Sequence, residues 1–221
     1  MTSVNRLPDI DFRNIRAFRE GKDAAFEEFC CQLVRRDPDV PKGSRFVRFR
    51  GAGGDGGVEC LYVLPSGEKW GWQAKYIFDL TKAKAKIAES IATAIRIHPQ
   101  LVKYTICLPF NLTGPTGRRG GSQEQKYEAY VAEWQRMAKA AGLQIEFCRL
   151  GCTELTDALL RIDRDGGRQR YWFDENSFGD AWFAEHIRVA TKNAGPRYRA
   201  QLNVEIPLTR AFESLGWTER W

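Results

Sequence analysis

Residues 53–76 read GGDGGVECLYVLPSGEKWGWQAKY. Two runs, VECLYVL (58–64) and KWGWQAKYIF (69–78), alternate or cluster β-branched and aromatic residues, and PSGE (65–68) between them is a turn signal. The pattern predicts a β-hairpin. Polar residues interrupt it at Glu59, Gln73 and Lys75, and Asp55 stands in the glycine loop just before it. Folding the hairpin about Ser66 and Gly67 sets Glu59 opposite Ala74, flanked by Gln73 and Lys75, to within one residue of register. Side chains alternate faces along a strand, so Gln73 and Lys75 share one face and Glu59 can reach it.

The flanking chain supplies the rest of a domain. KDAAFEEFCCQLVRR (22–36) places Phe26, Phe29, Cys30 and Leu33 at helical spacing, and DPDVPKGS breaks it. RFVRFRG (45–51) alternates as a strand. Residues 81–97 form a helix with Ile87, Ile91 and Ile95 on one face. KYTICLPF (103–110) is a short apolar strand, NLTGPTGRRGGS a long loop, and residues 123–141 a helix. LQIEFCRL (143–150) is a strand, followed by a short helix at TELTDALLR with Thr153 as its N-cap. The order is helix, three strands, helix, strand, helix, strand, helix. That order predicts an α/β fold with a central mixed sheet flanked by helices on both faces. Residues 1–20 read as polar and irregular. Beyond about residue 168 the pattern loosens into an aromatic-rich, aperiodic stretch and a linker-like tail.

The 221 residues suit one domain with a sizeable core. Hydrophobic residues at 43% and charged residues at 28% exclude a disordered chain. The net charge of +6 points to an anionic partner. Six cysteines form no CxxC pair and only two histidines, His98 and His186, are present, which argues against a zinc site. Cysteines in apolar runs fit small buried hydrophobes in a reducing cytoplasm. The N-terminus lacks a signal-peptide core, and no 18-residue apolar run exists for a membrane span.

An acid, an amide and a lysine brought together on two strands fit metal-assisted phosphodiester hydrolysis. Hard oxygens hold Mg²⁺, the ion activates a water and offsets phosphate charge, and Lys75 sits beside that water or stabilises the anion that forms. The first helix can add a further acid, Glu27, which borders the apolar stripe, in preference to Glu28, which points further out. The plain alternative is a solvated sheet face; Asp55 in its glycine loop weighs against that.

GGDGGVE followed by QAK resembles the Mrr-type branch of the PD-(D/E)xK nuclease superfamily, in which a glycine-rich acidic segment precedes QxK on adjacent strands. An upstream helix of that branch carries a glutamate in an FE context, here Phe26-Glu27. The resemblance implies a restriction-endonuclease-like core over residues 1–165. It also implies Asp55, Glu59 and Gln73 as metal positions for Mg²⁺, with Mn²⁺ able to substitute, and Lys75 as the catalytic lysine. Glu59 stands where the branch more often has Asp. Gln73 replaces the Glu of the wider superfamily, and its neutral oxygen leaves the site one negative charge weaker.

FEEFCCQL, WGWQAKY, CLPFNLTGPTGRRG and GPRYRAQLNVEIPL together are similar to the N-terminal nuclease domain of bacterial antiviral STAND NTPases. No GxxxxGK[ST] occurs in the chain. Residues 166–221 are therefore expected to be an extension and linker towards a downstream module. The resemblance implies a cytoplasmic bacterial protein whose nuclease domains act on double-stranded DNA once brought together as a homo-oligomer, with little sequence preference.

Lys82 and Lys86, one turn apart with Lys84 between them, are candidates to follow a DNA backbone, or simply a charged helix face. Arg118 and Arg119 in the long loop are phosphate contacts or a solvated basic loop. Trp70 and Trp72 read as packing residues, and His98 as a cap-region residue. The rival functions are a catalytically silent interaction module on the same fold, and an RNA or junction-specific nuclease.

Overall fold

The computed structural model describes residues 10–49, 56–114, 122–163 and 166–173, together with 184, 187–190 and 192. The chain divides into two compact units, Met1–Glu175 and Asn176–Trp221. In the second, all the described residues are helical.

Five strands form the sheet of the first unit: β1 (Arg45–Arg48), β2 (Cys60–Val63), β3 (Lys69–Ala74), β4 (Leu101–Cys107) and β5 (Glu146–Leu150). They lie in the order β1-β2-β3-β4-β5. β1, β2 and β3 pair antiparallel, while β3, β4 and β5 are parallel. The change of direction follows from the connections. β2 and β3 are joined by a tight turn in which Gly67 takes φ +86° and Leu64 N donates to Glu68 O at 2.8 Å. The parallel strands are linked by whole helices, α2 (Leu80–Ile97) and α3 (Gln123–Ala140), as parallel pairing requires. This is the expected α/β fold with a mixed sheet.

Alternation along β3 divides the core. Trp72 and Ala74 pack with α1 (Lys22–Val34) and α4 (Cys152–Ile162) on one face. Leu61, Tyr104 and Ile106 pack with Ile87 and Ile91 of α2 and Trp134 of α3 on the other. Trp72 is buried, with Tyr62 at 5.9 Å and Trp70 at 6.4 Å between ring centroids, so both tryptophans do pack. Helix ends are capped by their own sequence. Asp79 accepts from Lys82 N at 2.8 Å, and Ser122 and Gln125 form a reciprocal capping box.

Three expectations change. Within the stretch read as irregular, Ile10, Phe12 and Ile15 are core residues, and Phe12 lies 5.6 Å from Phe26, 5.5 Å from Phe29 and 5.3 Å from Phe173 between ring centroids. The first unit does not end at residue 165: α5 (Gly167–Phe173) buries Trp172 against Phe29. Thr153 is not the N-cap of α4. Gly151 takes that position, with Glu154 Oε2 accepting from its N–H at 2.8 Å, while Thr153 is tied to Asn111.

Cys30 and Cys31 on α1, Cys60 on β2 and Cys107 on β4 are all buried in one core layer, and all six cysteines are free thiols. Burial, with Cys107 alongside, pushes the Cys30 thiol well up; a hydrogen bond with Cys31, then burial, does the same for Cys60. Only a thiolate is a good nucleophile, so Cys30 and Cys60 should be inert, and Cys31 and Cys107 are shielded from reagents by burial in the same layer. A thiol-specific disulfide reagent is expected to label at most Cys148 and Cys152, the two half-buried thiols, in the native protein and all six after unfolding. Rapid native labelling of a third would contradict this packing. Trp172→Ala should cost about 3–5 kcal/mol of unfolding free energy in denaturant titration. A chain cut at residue 165 should melt well below one cut at 175; equal stability would detach α5 from the core.

Candidate functional site

The site begins with a local fault in the sheet. β2 and β3 pair Cys60 with Trp72 and Leu61 with Gly71. Continued by one residue, this register sets Glu59 opposite Gln73, one position from the Ala74 inferred from the turn. The ladder is irregular there: Glu59 N donates to Trp72 O at 2.8 Å, and Phe49 N donates to Glu59 O at 3.1 Å. Glu59 is therefore held by its backbone on both sides. Its carboxylate Oε1 accepts a hydrogen bond from Gln73 Nε2.

Gln73 is fully buried and Glu59 is 9% exposed. With Gln73 Nε2 turned towards the Glu59 carboxyl, Gln73 Oε1 is directed elsewhere. That Oε1 is buried and has no hydrogen-bond partner among the described residues. A buried acceptor left unpaired costs about 1–3 kcal/mol, so its retention calls for an explanation. A carboxylate with an unpaired amide oxygen at its side is the donor chemistry that Mg²⁺ or Mn²⁺ takes. The residues present therefore fit a hard divalent cation. Among the described residues no three His, Cys, Asp or Glu side chains gather as a metal-binding group. Asp55 lies outside the described residues.

Lys75 follows Gln73 by two positions, just beyond the end of β3, and is half-buried. Its N–H donates to Cys107 O at 3.1 Å, which continues the β3–β4 pairing and fixes where the lysine leaves the sheet. Glu59, Gln73 and Lys75 thus gather at the C-terminal end of β3.

The acids of α1 are arranged differently from their helical-wheel reading. Glu28 does not point outward: its Oε2 lies 2.7 Å from Arg48 Nη1 on β1, and its side chain is 13% exposed. Glu27 is half-buried on the same helix, which packs on the Trp72/Ala74 face of β3, the face opposite the one to which Gln73 alternates. Lys82 and Lys86 are exposed on α2, whereas Lys84 is paired to Glu133 at 2.9 Å and sits 4.7 Å from the Tyr130 ring centroid. Arg118, Arg119 and His186 lie outside the described residues.

Three contacts at the base of the glycine loop escaped the sequence reading. A Cβ on Gly57, where φ is +80°, would lie 2.1 Å from Ser90 O and 2.7 Å from Ala94 N of α2, so only glycine fits. Gly56 abuts His98, with 2.8 Å between a virtual Cβ and Nε2. The Tyr104 hydroxyl donates to Gly57 O at 2.7 Å. The usable signal was Tyr104 itself, since a tyrosine inside an apolar central strand needs a partner for its hydroxyl.

His98, the C-cap of α2, is buried, and burial followed by the charge of Lys69 lowers its pKa. As pH falls through the ordinary histidine value, about 6.5, the unfolded chain takes up the proton first. Stability from the neutral ring is thus present above that value and is lost as pH falls through it. Between about pH 7.5 and about pH 5, the wild type should lose more unfolding free energy than His98→Gln in urea titrations. Parallel losses would contradict the burial argument.

Compared with protein-family models and with curated proteins, the sequence matches none.

Proposed function

We propose that this chain is a metal-dependent endonuclease that hydrolyses phosphodiester bonds of double-stranded DNA with little sequence preference. The observation that carries the reading is the buried Glu59–Gln73 pair with its unpaired Gln73 Oε1, set two residues from Lys75. A core helix has no need of such a group, and a solvated sheet face would not bury it.

Glu59 and Gln73 are the residues that hold the ion, and Asp55 is the sequence candidate for a third. Bound there, Mg²⁺ or Mn²⁺ supplies a water of lowered pKa and offsets charge on the phosphate. Lys75 brings a fixed ammonium to the same strand end, where it stabilises the negative charge that grows on phosphorus oxygens during hydrolysis. The backbone ties of Glu59 and Lys75 keep both groups in place before substrate arrives, so little reorganisation is needed. Lys82 and Lys86 extend the positive surface along α2, which favours a phosphate backbone and makes binding steeply salt-dependent.

The Mrr-type motif extends this reading to a restriction-endonuclease-like core. The separate resemblance to the N-terminal domain of antiviral STAND NTPases supports an effector role in bacterial defence, with activity when copies are assembled.

Supercoiled plasmid with Mg²⁺ or Mn²⁺ should be nicked or linearised by the wild type, and Lys75→Ala should lower the rate by about 10²-fold or more. Glu59→Ala should abolish Mn²⁺ binding in calorimetry. Cleavage that survives Lys75→Ala would place the chemistry elsewhere. Inactivity of the wild type even when two copies are joined, with no metal bound, would favour a silent interaction module. Single-stranded, junction and RNA substrates in the same assay separate the other rivals.

A further inference from the structure

We infer that Tyr104 is a positioning residue for Glu59, acting from β4 across the intervening strand β3. The role presupposes the metal site proposed above. Tyr104 lies opposite Gly71 in the β3–β4 register, and Gly71 carries no side chain to block its path. A Cβ on Gly71 would lie 2.8 Å from Val58 Cγ1 and 3.1 Å from Leu101 Cδ1, so Val58 already fills the space above the glycine. The Tyr104 ring, fully buried, reaches past this gap and donates its hydroxyl to Gly57 O at 2.7 Å.

Gly57 is two residues before Glu59. From there the chain has little freedom. Gly57 rests on the backbone of α2 at Ser90 and Ala94, Val58 packs over Gly71, and Glu59 N is bonded to Trp72 O. The hydroxyl bond sets the carbonyl plane at Gly57 and, through it, the direction in which the loop delivers Glu59 to Gln73. Its loss removes one hydrogen bond from the Gly57 carbonyl at the point where the ladder is already irregular. The cost should fall on the geometry of the carboxylate rather than on the fold, because the phenyl ring still fills its place.

Tyr104→Phe tests this with two readouts. In calorimetry the Mn²⁺ dissociation constant should rise about five- to tenfold, the worth of one hydrogen bond. In cleavage, the metal concentration for half-maximal rate should rise by the same factor, while the rate at saturating metal changes less than about twofold. Amide hydrogen exchange should quicken at residues 57–60 and stay unchanged along the β4–β5 ladder, which shows that the variant is folded. Unaltered Mn²⁺ affinity in a folded variant overturns the positioning role, whether or not exchange quickens. A wild type that binds no Mn²⁺ overturns the metal reading and the role together. Wild-type binding with an unshifted variant overturns the role alone.

Discussion

A carboxylate and an amide side chain meet in the interior where the antiparallel half of the sheet joins the parallel half. Glu59 and Gln73 are held against each other by one hydrogen bond, and the amide oxygen faces the protein interior without a partner. Burying polar groups is unfavourable unless every one is satisfied. Much of the surrounding structure serves to hold this pair. Glu59 is gripped by backbone bonds to Phe49 and Trp72, and Gly57 before it is pressed on α2. An apolar pair at these two positions would be better for folding alone. The arrangement is a local breach of the rules that shape the rest of the core, of the kind that proteins keep at functional sites.

β3 makes the arrangement possible. Among the described residues it is the one strand with an antiparallel neighbour on one side and a parallel neighbour on the other. The antiparallel turn brings Glu59 beside it from a near point in the chain, and the parallel partner β4 supports Lys75 through Cys107 O. Ligands of α/β sheets gather beyond the carboxyl ends of parallel strands, and Lys75 leaves the sheet at that end of β3. On one face, four buried thiols and an aromatic cluster around Phe12 form a close-packed layer. On the other, α2 and α3 cover Tyr104 and Ile106. Both layers fix the strand on which the site depends.

The sheet and its helices were legible because they obey simple periods: α1 through Phe26, Phe29, Cys30 and Leu33, and α2 through Ile87 and Ile91. The hairpin and the gathering of Glu59 with Gln73 were legible from the turn at Gly67 and strand alternation. The register was off by one because the turn is centred on Ser66, with Leu64 N bonded to Glu68 O and Val63 facing Lys69, rather than between Ser66 and Gly67. Phe12 and Trp172 were missed for a different reason. They enter the core from a three-residue turn and a seven-residue helix, too short to show a period. Glu28 was misplaced because a helical wheel cannot foresee Arg48 on a strand that closes over it. The clamp of Tyr104 on Gly57 joins residues 47 apart in the chain, so Tyr104 signals the need for a partner but not which residue supplies it.

The most direct test is crystallographic. Crystals grown with Mn²⁺ should show an anomalous peak at the end of β3, coordinated by a Glu59 carboxylate oxygen and by Gln73 Oε1 at about 2.2 Å. The Gln73 amide, unpaired at that oxygen now, would then be satisfied. No peak there, with Gln73 Oε1 still unpaired, or a peak bound elsewhere, would contradict the account.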